Sequence, residues 1–414
     1  MKIFAIGNVF NPSGVSSHII NVLKGLSKLG EEVTLYVPYF LVDNKIEILK
    51  DLEKAGVQIY PFVYDYIQKY KSKIRTTNYF IESHTVIFRW NDIGADKVLL
   101  RDLDRIKPDI IYDMHEDTIT LRLSYYLGKK LNVPVVKLLH DEPFRYSSFG
   151  RGYRKILGLQ GFIYDALMSI FYKFDKRAYE IPMEDGILRG IAAVSYASIY
   201  YSKLDEIAKK YHVAVKVYEI GNAFDKELIF KYRRIKDKGD YAVFFARLVP
   251  QKGLMELPKI AERLSTKIIV FGKLFSEKYK KNLQSKNIEY RGYKPIEEVY
   301  DTVSKAKVLI YPSHQDGYSL VVLDTLALGT SVVAYDIPAI RFVYGGLKPV
   351  KMVKEYDYLS LAKVANEVLS MPEKEYVMEH EDEKVRAFIE KHSDWLNVAI
   401  ETRDFLKQFT RNAI

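Results

Sequence analysis

The sequence contains no cysteine and no long apolar run, and both absences limit what the chain can be. Without cysteine there are no disulfides, thiolate metal sites or cysteine nucleophiles, and such a chain suits a reducing compartment. No apolar segment approaches the ~20 residues that a membrane-spanning helix needs. The first residues lack a signal-peptide pattern, because polar Asn8 and Asn11 follow only a short apolar run. These features predict a soluble, cytoplasmic protein.

The composition predicts a globular chain of two domains. Its 414 residues are 48% hydrophobic, so each domain can bury a core of its own. The formal net charge of +10 attracts phosphorylated ligands, anionic membranes and nucleic acids alike. However, the 63 Lys and Arg residues are interleaved with 53 acids and form no basic stripe or nucleic-acid-binding module. We therefore predict no nucleic-acid partner.

Apolar strands alternate with amphipathic helices along most of the chain, which predicts doubly wound parallel sheets. The first strand, 2–8, leads into a turn at Gly14, where a glycine lets backbone approach a phosphate. A simple tight turn is an equally good interpretation of this glycine.

Two histidines follow predicted strands. His140 ends the strand 135–140, and His115 ends the strand 109–115. Doubly wound folds bind ligands at the carboxyl edge of the sheet, so His140 is a candidate site residue. His115 is a secondary candidate for the cleft wall or the acceptor side.

The stretch 312–338 combines two acids with a predicted helix. Asp316 lies in the loop after the strand 307–311, and Asp324 lies within a helix that begins after Ser319, its predicted N-cap. The free amides at a helix start attract an anion. A carboxylate on each side of an anion site suits a nucleotide-sugar, whose hydroxyls flank a diphosphate.

Two cations follow another predicted strand, 241–246. They are Arg247 and Lys252, and by themselves two exposed cations beside a turn are a common arrangement.

Together these motifs resemble those of the retaining glycosyltransferase family 4, which has the GT-B fold. The family carries Glu, seven residues and a second Glu before a small-residue turn and a Val-Val strand. This chain keeps that spacing but has Asp316 and Asp324. Residues 246–253 match the family's Gly-Arg-Leu-x-x-x-Lys-Gly, with Ala246 in place of the first glycine. The resemblance covers about residues 1–345.

The resemblance implies transfer of a hexose from a nucleoside-diphosphate sugar to a glycan or lipid-linked acceptor, with retention of configuration. A UDP-hexose is favoured over GDP-mannose as donor, and no cofactor or metal is expected. Asp316 and His140 would act on the sugar, and Asp324 would bind the ribose. The remaining donor-binding residues would be Gly14, Arg247, Lys252, Gly317, Tyr318, Ser319 and Leu320. No nucleophile is assigned.

Two alternatives stay open. The shortened acids suit a GT-B nucleotide-sugar-binding protein that has lost catalysis, and a nucleotide-sugar epimerase can use the same fold. An Asp-x-Asp pair, Asp102 and Asp104, resembles a metal site of other glycosyltransferases. Because arginines flank it within the helix 97–106, a salt-bridged helix face is the favoured interpretation.

Residues 144–183 mix cations, aromatic residues and apolar residues at helical spacing. The set Ile156, Leu159, Ile163, Leu167, Ile170 and Phe174 predicts one apolar helix face. Packing of that face on its own domain is favoured, and peripheral contact with the cytoplasmic membrane face is the alternative.

The predicted division places an acceptor-side domain at 1–223, a polar linker at 224–240 and the donor domain at 241–391. Helices within 392–414 are expected to cross back onto the first domain.

Overall fold

The computed structural model describes residues 1–10, 13–37, 46–60, 95–144, 155 and 157–410. Its strands are β1 Lys2–Ile6, β2 Glu32–Tyr36, β3 Gln58–Ile59, β4 Ile110–Asp113, β5 Val135–Leu139, β6 Leu188–Ala193, β7 Ala214–Val217, β8 Gly239–Phe245, β9 Ile268–Phe271, β10 Ile288–Gly292, β11 Ala306–Tyr311, β12 Ser331–Tyr335 and β13 Val350–Val353.

The described α-helices are α1 Gly14–Lys28, α2 Ile46–Lys54, α3 Ala95–Ile106, α4 Thr118–Leu131, α5 Leu159–Glu184, α6 Leu204–Lys210, α7 Lys226–Tyr232, α8 Leu257–Ala261, α9 Ile296–Lys305, α10 Leu320–Ala327, α11 Pro338–Tyr344, α12 Tyr358–Ser370, α13 Glu373–His380, α14 Glu383–Lys391 and α15 Trp395–Lys407. Short 3-10 turns occupy Tyr196–Ser198, Pro250–Lys252 and Glu277–Leu283.

Two all-parallel sheets form the core, in the order β3-β2-β1-β4-β5-β6-β7 and β10-β9-β8-β11-β12-β13. Strands such as β5 and β12 are buried along their whole length, because helices cover both faces of a parallel sheet. In each sheet the strand order reverses beside the first strand, between β1 and β4 and between β8 and β11. Ligands bind at such switch points, outside the carboxyl ends of the strands. The predicted pair of doubly wound sheets is confirmed.

The C-terminal helix α15 packs against α1 of the first sheet. The Glu401 carboxylate accepts hydrogen bonds from the backbone amides of Glu219 and Ile220, at 2.9 and 3.0 Å. The chain therefore returns to the first sheet after building the second. Helix α7 lies inside the segment 224–240 that was predicted to be a linker, and the division into domains stays a prediction.

Several predicted boundaries differ from the structure. The sequence pattern predicts a strand over 216–220 and a helix over about 197–211, whereas the structure has β7 at Ala214–Val217 and only the shorter α6 at Leu204–Lys210. Lys203 adopts a left-handed backbone with φ of 51°, which separates α6 from the preceding turn. The apolar runs 57–64 and 85–90 also predict strands. Within the described part of the first run the structure has β3, at Gln58–Ile59, and the second run lies outside the described residues.

The face of α5 that is buried is not the one that the favoured interpretation predicts. Tyr179 and Met183 are buried against the domain, whereas Leu159, Ile163 and Phe174 of the predicted apolar face are exposed. For these three residues the prediction that the face packs on its own domain is wrong, because other side chains of the helix fill that contact. The side chains of Ile156, Leu167 and Ile170 lie outside the described residues. None of the described helices is long and apolar enough to cross a bilayer.

Candidate active site

The β11–α10 loop, residues 312–319, lies where the two sheets meet. A Cβ atom on Gly317 would lie 1.7 Å from the carbonyl oxygen of His140, so only glycine lets the two backbones approach this closely. The Gly317 carbonyl also accepts a hydrogen bond from Ser195 Oγ, which follows β6. Polar residues that follow β5, β6 and β11 therefore meet at one junction.

A side-chain hydrogen bond supports the same junction. Gln315 Nε2 donates to Asp141 Oδ2 at 2.8 Å. Burial, together with the nearby Glu116 carboxylate, raises the pKa of Asp141 to about 7.

Asp316 is held by three donors. Lys252 Nζ lies 2.5 Å from its Oδ1, and its Oδ2 accepts from Ser313 Oγ at 2.9 Å and from the Tyr311 hydroxyl. The lysine also donates to the Gln315 carbonyl at 2.8 Å. The Lys252 and Asp316 side chains are only 12% and 15% exposed. This pair is therefore largely shielded from solvent, and its charges interact more strongly than a surface pair would.

Backbone contacts place Lys252 beside that acid. Gly253 has a φ of 80°, and a Cβ atom there would lie 2.3 Å from the Pro312 carbonyl oxygen. The His314 amide donates to the Gln251 carbonyl at 2.8 Å. The loops after β8 and β11 are thus joined, and a substituted residue 253 would push them apart. Arg247, directly after β8, is exposed.

Helix α10 begins without the predicted side-chain cap. Ser319 is at the N-cap position with φ of 66°, and its hydroxyl donates to the Tyr311 hydroxyl at 2.8 Å instead of accepting from the helix amides. The prediction that Ser319 caps the helix is therefore wrong, because the left-handed backbone turns the side chain toward β11. Gly14, the first residue of α1, lies opposite. A Cβ atom on Gly14 would lie 2.9 Å from Leu320 Cδ1.

The Tyr318 side chain packs inward. It is buried, its ring centroid is 6.1 Å from that of Tyr344 and 6.3 Å from that of His392, and its hydroxyl has no hydrogen-bond partner among the described residues. Tyr318 was predicted to bind the donor, but its side chain packs in the core, so only its backbone is available to a ligand.

Asp324 lies one turn inside α10. Its Oδ2 accepts a hydrogen bond from the Tyr300 hydroxyl of α9 at 2.7 Å. Burial raises the pKa of Asp324 to about 7, despite that hydrogen bond. The carboxyl group therefore changes charge near neutral pH.

His140 follows β5 and is 7% exposed. Burial and the neighbouring His18 and His115 hold its pKa well below the usual range, so the imidazole is neutral. Its Nε2 atom is buried with no hydrogen-bond partner in the described part of the chain. The ring of His18 meets it edge-on at 4.7 Å, and His18 Nδ1 lies 3.0 Å from Asn222 Oδ1.

His115 follows β4 and points to its own acidic neighbours, with Nδ1 3.2 Å from Asp117 Oδ2. Asp102 accepts a hydrogen bond from the Tyr60 hydroxyl at 2.8 Å. Within the described residues no three His, Asp or Glu side chains are grouped so that they could hold a metal ion.

The solved structure of Anabaena HepE with UDP and glucose superposes on nearly the whole chain. It is 14% identical, covers 99% of this chain and 100% of that one, and has a TM-score of 0.66. The fold is GT-B. HepE has also been solved with UDP-glucose, and that structure has a TM-score of 0.63 at 17% identity, covering 98% of this chain and all of its own.

The part of the chain that forms the second sheet matches a sequence family. Residues 225–385 match the model of the family described as glycosyl transferases group 1. The putative teichuronic acid biosynthesis glycosyltransferase TuaC of Bacillus subtilis is 28% identical over 189 residues, 43% of this chain and 46% of that protein. The uncharacterized glycosyltransferase MJ1178 of Methanocaldococcus jannaschii is 30% identical over 141 residues, 32% of this chain and 36% of its own. The chain thus aligns with less than half the length of either relative.

The GT-B junction brings most of the predicted site residues together. Asp316 contacts Lys252 directly, Gly317 contacts His140, and Gly14 lies against Leu320. Asp324 and its partner Tyr300 lie further along α10, and Tyr318 points into the core. Arg247 follows β8 and is exposed.

The sequence interpretation missed the role of His314, two residues before Asp316. Its Nε2 lies 2.6 Å from Glu256 Oε2, its Nδ1 lies 2.9 Å from Glu355 Oε1, and its ring stacks on Tyr356 at 4.5 Å. Burial opposes protonation, but the two carboxylates outweigh it and raise the pKa of His314. The histidine was visible in the sequence, but no local signal connects it to acids that are distant along the chain.

Proposed function

We propose that the chain transfers a hexose from a nucleoside-diphosphate sugar, with UDP-hexose favoured over GDP-mannose, to a glycan or lipid-linked acceptor with retention of configuration. The observation that carries this proposal is the Lys252–Asp316 pair, at the switch point of the second sheet and one residue from the contact between Gly317 and His140. At this point the cation suits the diphosphate half of the donor, and the carboxylate suits its sugar half.

The diphosphate half would lie against the cations and the start of α10. Arg247 can offer a forked pair of donors, Lys252 a point charge, and the first amides of α10 a row of donors that no side chain caps. The negative charge on the leaving diphosphate grows as the glycosidic bond breaks. Donors already in place therefore stabilise the transition state more than the bound donor.

The sugar half would lie between Asp316 and His140. The Asp316 carboxylate can accept hydrogen bonds from sugar hydroxyls, and the neutral His140 can do so through its unpartnered Nε2. A neutral imidazole is suited to an oxocarbenium-like sugar, because an imidazolium would repel the developing positive charge. No side chain is assigned as a nucleophile.

The ribose would lie at Asp324. An ionised carboxylate there can accept from both ribose hydroxyls, and α10 carries it away from the loop that holds Asp316. The shorter Asp, compared with the family's Glu, requires the ribose to approach α10 more closely.

Comparison with known proteins supports this assignment in two ways. The family match over 225–385 includes Arg247, Lys252, Asp316 and Asp324. The structural neighbour HepE has been solved in complex with UDP-glucose, and its structure superposes on nearly the whole of this chain.

The test measures UDP release and product formation by the purified chain with UDP-glucose, UDP-galactose, GDP-mannose and ADP-glucose, each with and without glycan acceptors. We expect slow UDP release without acceptor and faster release with one. The anomeric configuration of the product, read by NMR coupling constants, should match that of the donor.

Other outcomes separate the alternatives. A donor that raises the melting temperature but is never cleaved, with any acceptor, would indicate a binding protein. Interconversion of the donor sugar without release of nucleotide would indicate an epimerase. Inversion at the anomeric carbon would overturn the retaining mechanism while leaving the transfer in place.

A further inference from the structure

The hydroxyl of Tyr311, at the end of β11, joins the two parts of the candidate site. It donates a hydrogen bond to Asp316 Oδ2 and accepts one from Ser319 Oγ at 2.8 Å. A phenol has a single hydrogen, so the direction of both bonds is set: Tyr311 accepts from the serine and gives its proton to the carboxylate. One oxygen atom therefore holds both the acid assigned to the sugar and the residue that begins α10.

Tyr311 remains a hydrogen-bond donor in this setting. Its side chain is buried, and burial together with the Asp316 carboxylate raises the pKa of Tyr311 well above its usual value. The hydroxyl therefore keeps its proton at physiological pH. Lys252 and Ser313 are the other two donors to Asp316, and Tyr311 fixes the carboxylate from the β11 side.

Ser319 has a backbone conformation that an ordinary N-cap serine does not adopt. Ser13, the N-cap of α1, shows the usual arrangement, with φ of −146° and an Oγ that accepts from the Ser16 amide at 3.3 Å. Ser319 has φ of 66° instead. Left-handed backbone is unfavourable for serine, so surrounding contacts must hold it. The Tyr311 hydroxyl holds its Oγ, and the Tyr344 hydroxyl holds its carbonyl at 2.7 Å.

The turned serine does not cap α10. Its carbonyl accepts from the amides of Val322 and Leu323, at 3.1 and 3.2 Å, but its hydroxyl points to Tyr311. A hydroxyl in the usual position would also take an amide of the first turn, as Ser13 does in α1. By holding this hydroxyl away, Tyr311 leaves the amides at the start of α10 to an anion.

We propose that Tyr311 is a positioning residue for the transfer reaction, because its one hydroxyl fixes Asp316 on the sugar side and keeps the Ser319 hydroxyl off the amides on the diphosphate side. This inference rests on the proposed function and adds to it a buried side chain that acts through two others. A tyrosine with only a structural role would affect folding, but would not divide its effects between nucleotide binding and turnover.

The first variant is Tyr311→Phe, which removes the hydroxyl and keeps the ring. Without its acceptor, the Ser319 hydroxyl can cap α10 in the ordinary way and compete with the diphosphate. UDP should therefore bind about fivefold more weakly in calorimetry, a factor typical of one N-cap. Asp316 loses one of its three donors, so turnover at saturating UDP-glucose should fall about tenfold or more.

Adding Ser319→Gly to Tyr311→Phe separates the two effects. Glycine has no hydroxyl to cap the helix, and it adopts the left-handed backbone without strain. UDP affinity should return to within about twofold of the wild type, while turnover stays low because Asp316 still lacks its donor. Amide hydrogen exchange of the segment 318–324 reads the cap without any ligand. It should slow in Tyr311→Phe and return to the wild-type rate in the double variant.

Tyr376→Phe is the matched control. Tyr376 is also buried, and its hydroxyl likewise joins two groups, accepting from the Ser331 amide at 3.0 Å and donating to the Lys307 carbonyl at 2.9 Å. These partners lie at the amino ends of β12 and β11, at the opposite edge of the sheet from the site. Tyr376→Phe should lower the melting temperature about as much as Tyr311→Phe, with UDP affinity and turnover equal to those of the wild type.

Three results would overturn the proposal. The first is a Tyr311→Phe variant with wild-type UDP affinity and turnover. The second is equal losses in Tyr376→Phe, which would make the effect a general loss of stability. The third is a double variant in which neither UDP affinity nor the exchange rate recovers, which would show that the Ser319 hydroxyl does not compete. A wild type without turnover would contradict the proposed function instead, and the UDP affinities and exchange rates would then decide whether Tyr311 restrains Ser319.

Discussion

Lys252 Nζ lies 2.5 Å from Asp316 Oδ1, so the cation expected to hold the diphosphate contacts the acid expected to hold the sugar. The contact joins the loops after β8 and β11, the two strands on either side of the switch point. A bound donor would have to share Lys252 between its phosphate and Asp316. Asp316 therefore holds the Lys252 ammonium group in position before the donor binds.

We expect Lys252→Ala to weaken UDP binding by roughly ten- to hundredfold, because a charge-assisted hydrogen bond contributes about 1.5–3 kcal/mol. Turnover should fall further, since the charge on the leaving phosphate increases in the transition state. Asp316→Asn should leave UDP binding unchanged or tighter, because the lysine is released to the phosphate, while turnover falls. Calorimetry of UDP binding and rates of UDP release measure the two effects.

The double variant tests whether the pair acts as a unit. Because the side chains touch, the effects of the two substitutions on UDP binding should not add. Loss of UDP binding in Asp316→Asn, with turnover intact, would reverse the assigned roles of sugar and phosphate.

Arg247 should contribute to donor binding without a metal. Arg247→Ala is expected to weaken UDP binding about ten- to hundredfold, since a forked donor pair to the diphosphate is lost. Arg105→Ala is the matched control, because Arg105 is also exposed but lies in the last turn of α3, which leads into the amino end of β4, away from the junction. Activity should persist in excess chelator. Loss of transfer in EDTA, with recovery in manganese, would require Asp102 and Asp104 to be reconsidered.

The sheets and the donor loops could be predicted from the sequence because their signals are local. Apolar runs such as 135–139 alternate with helical patterns, and only a few topologies of parallel sheets suit that order. The spacing between Asp316 and Asp324 likewise indicates a loop followed by a helix. The contact of Lys252 with Asp316 was not predicted, since the two were assigned to different parts of the donor.

Other features depended on contacts that a local pattern does not contain. The left-handed backbone of Ser319 occurs with a hydrogen bond from its hydroxyl to the Tyr311 hydroxyl and another that its carbonyl accepts from the Tyr344 hydroxyl. A capping pattern in the sequence contains neither contact. Helix α5 shows the same limit. Its apolar periodicity is real, but which face is buried is decided by Tyr179 and its partners on other elements.

Asp324 should make UDP binding depend on pH near neutrality. Burial raises its pKa to about 7, and only the ionised carboxylate can accept from both ribose hydroxyls, so affinity should rise between pH 6 and 8. A phosphate also titrates near pH ~6, so the comparison is made with Asp324→Asn, which should bind UDP more weakly and lose the part of the pH dependence centred near 7. Equal pH profiles for the two proteins would contradict the ribose assignment.

The raised pKa of Asp324 also predicts a stability effect. The folded state binds this proton more tightly than the unfolded state, so stability falls as the pH rises from about 4 through 7. Asp324→Asn removes that loss. Its melting temperature should therefore exceed that of the wild type at pH 8, and the difference should shrink at pH 5.

His314 should stabilise the fold most when it is protonated. The carboxylates of Glu256 and Glu355 raise its pKa above the usual value despite burial, so its contribution is fully present below pH ~6.5 and is lost as the pH rises through the folded-state pKa. His314→Gln cannot carry the charge, so the wild type should exceed it in melting temperature by more at pH 6 than at pH 9. His392→Gln is the control with the opposite sign, because burial lowers the pKa of His392 to about 4 and protonation of the unfolded state opposes folding at pH 6. A melting-temperature difference for His314→Gln that is constant from pH 6 to 9, or that follows the trend of His392→Gln, would show that His314 is neutral between its two glutamates.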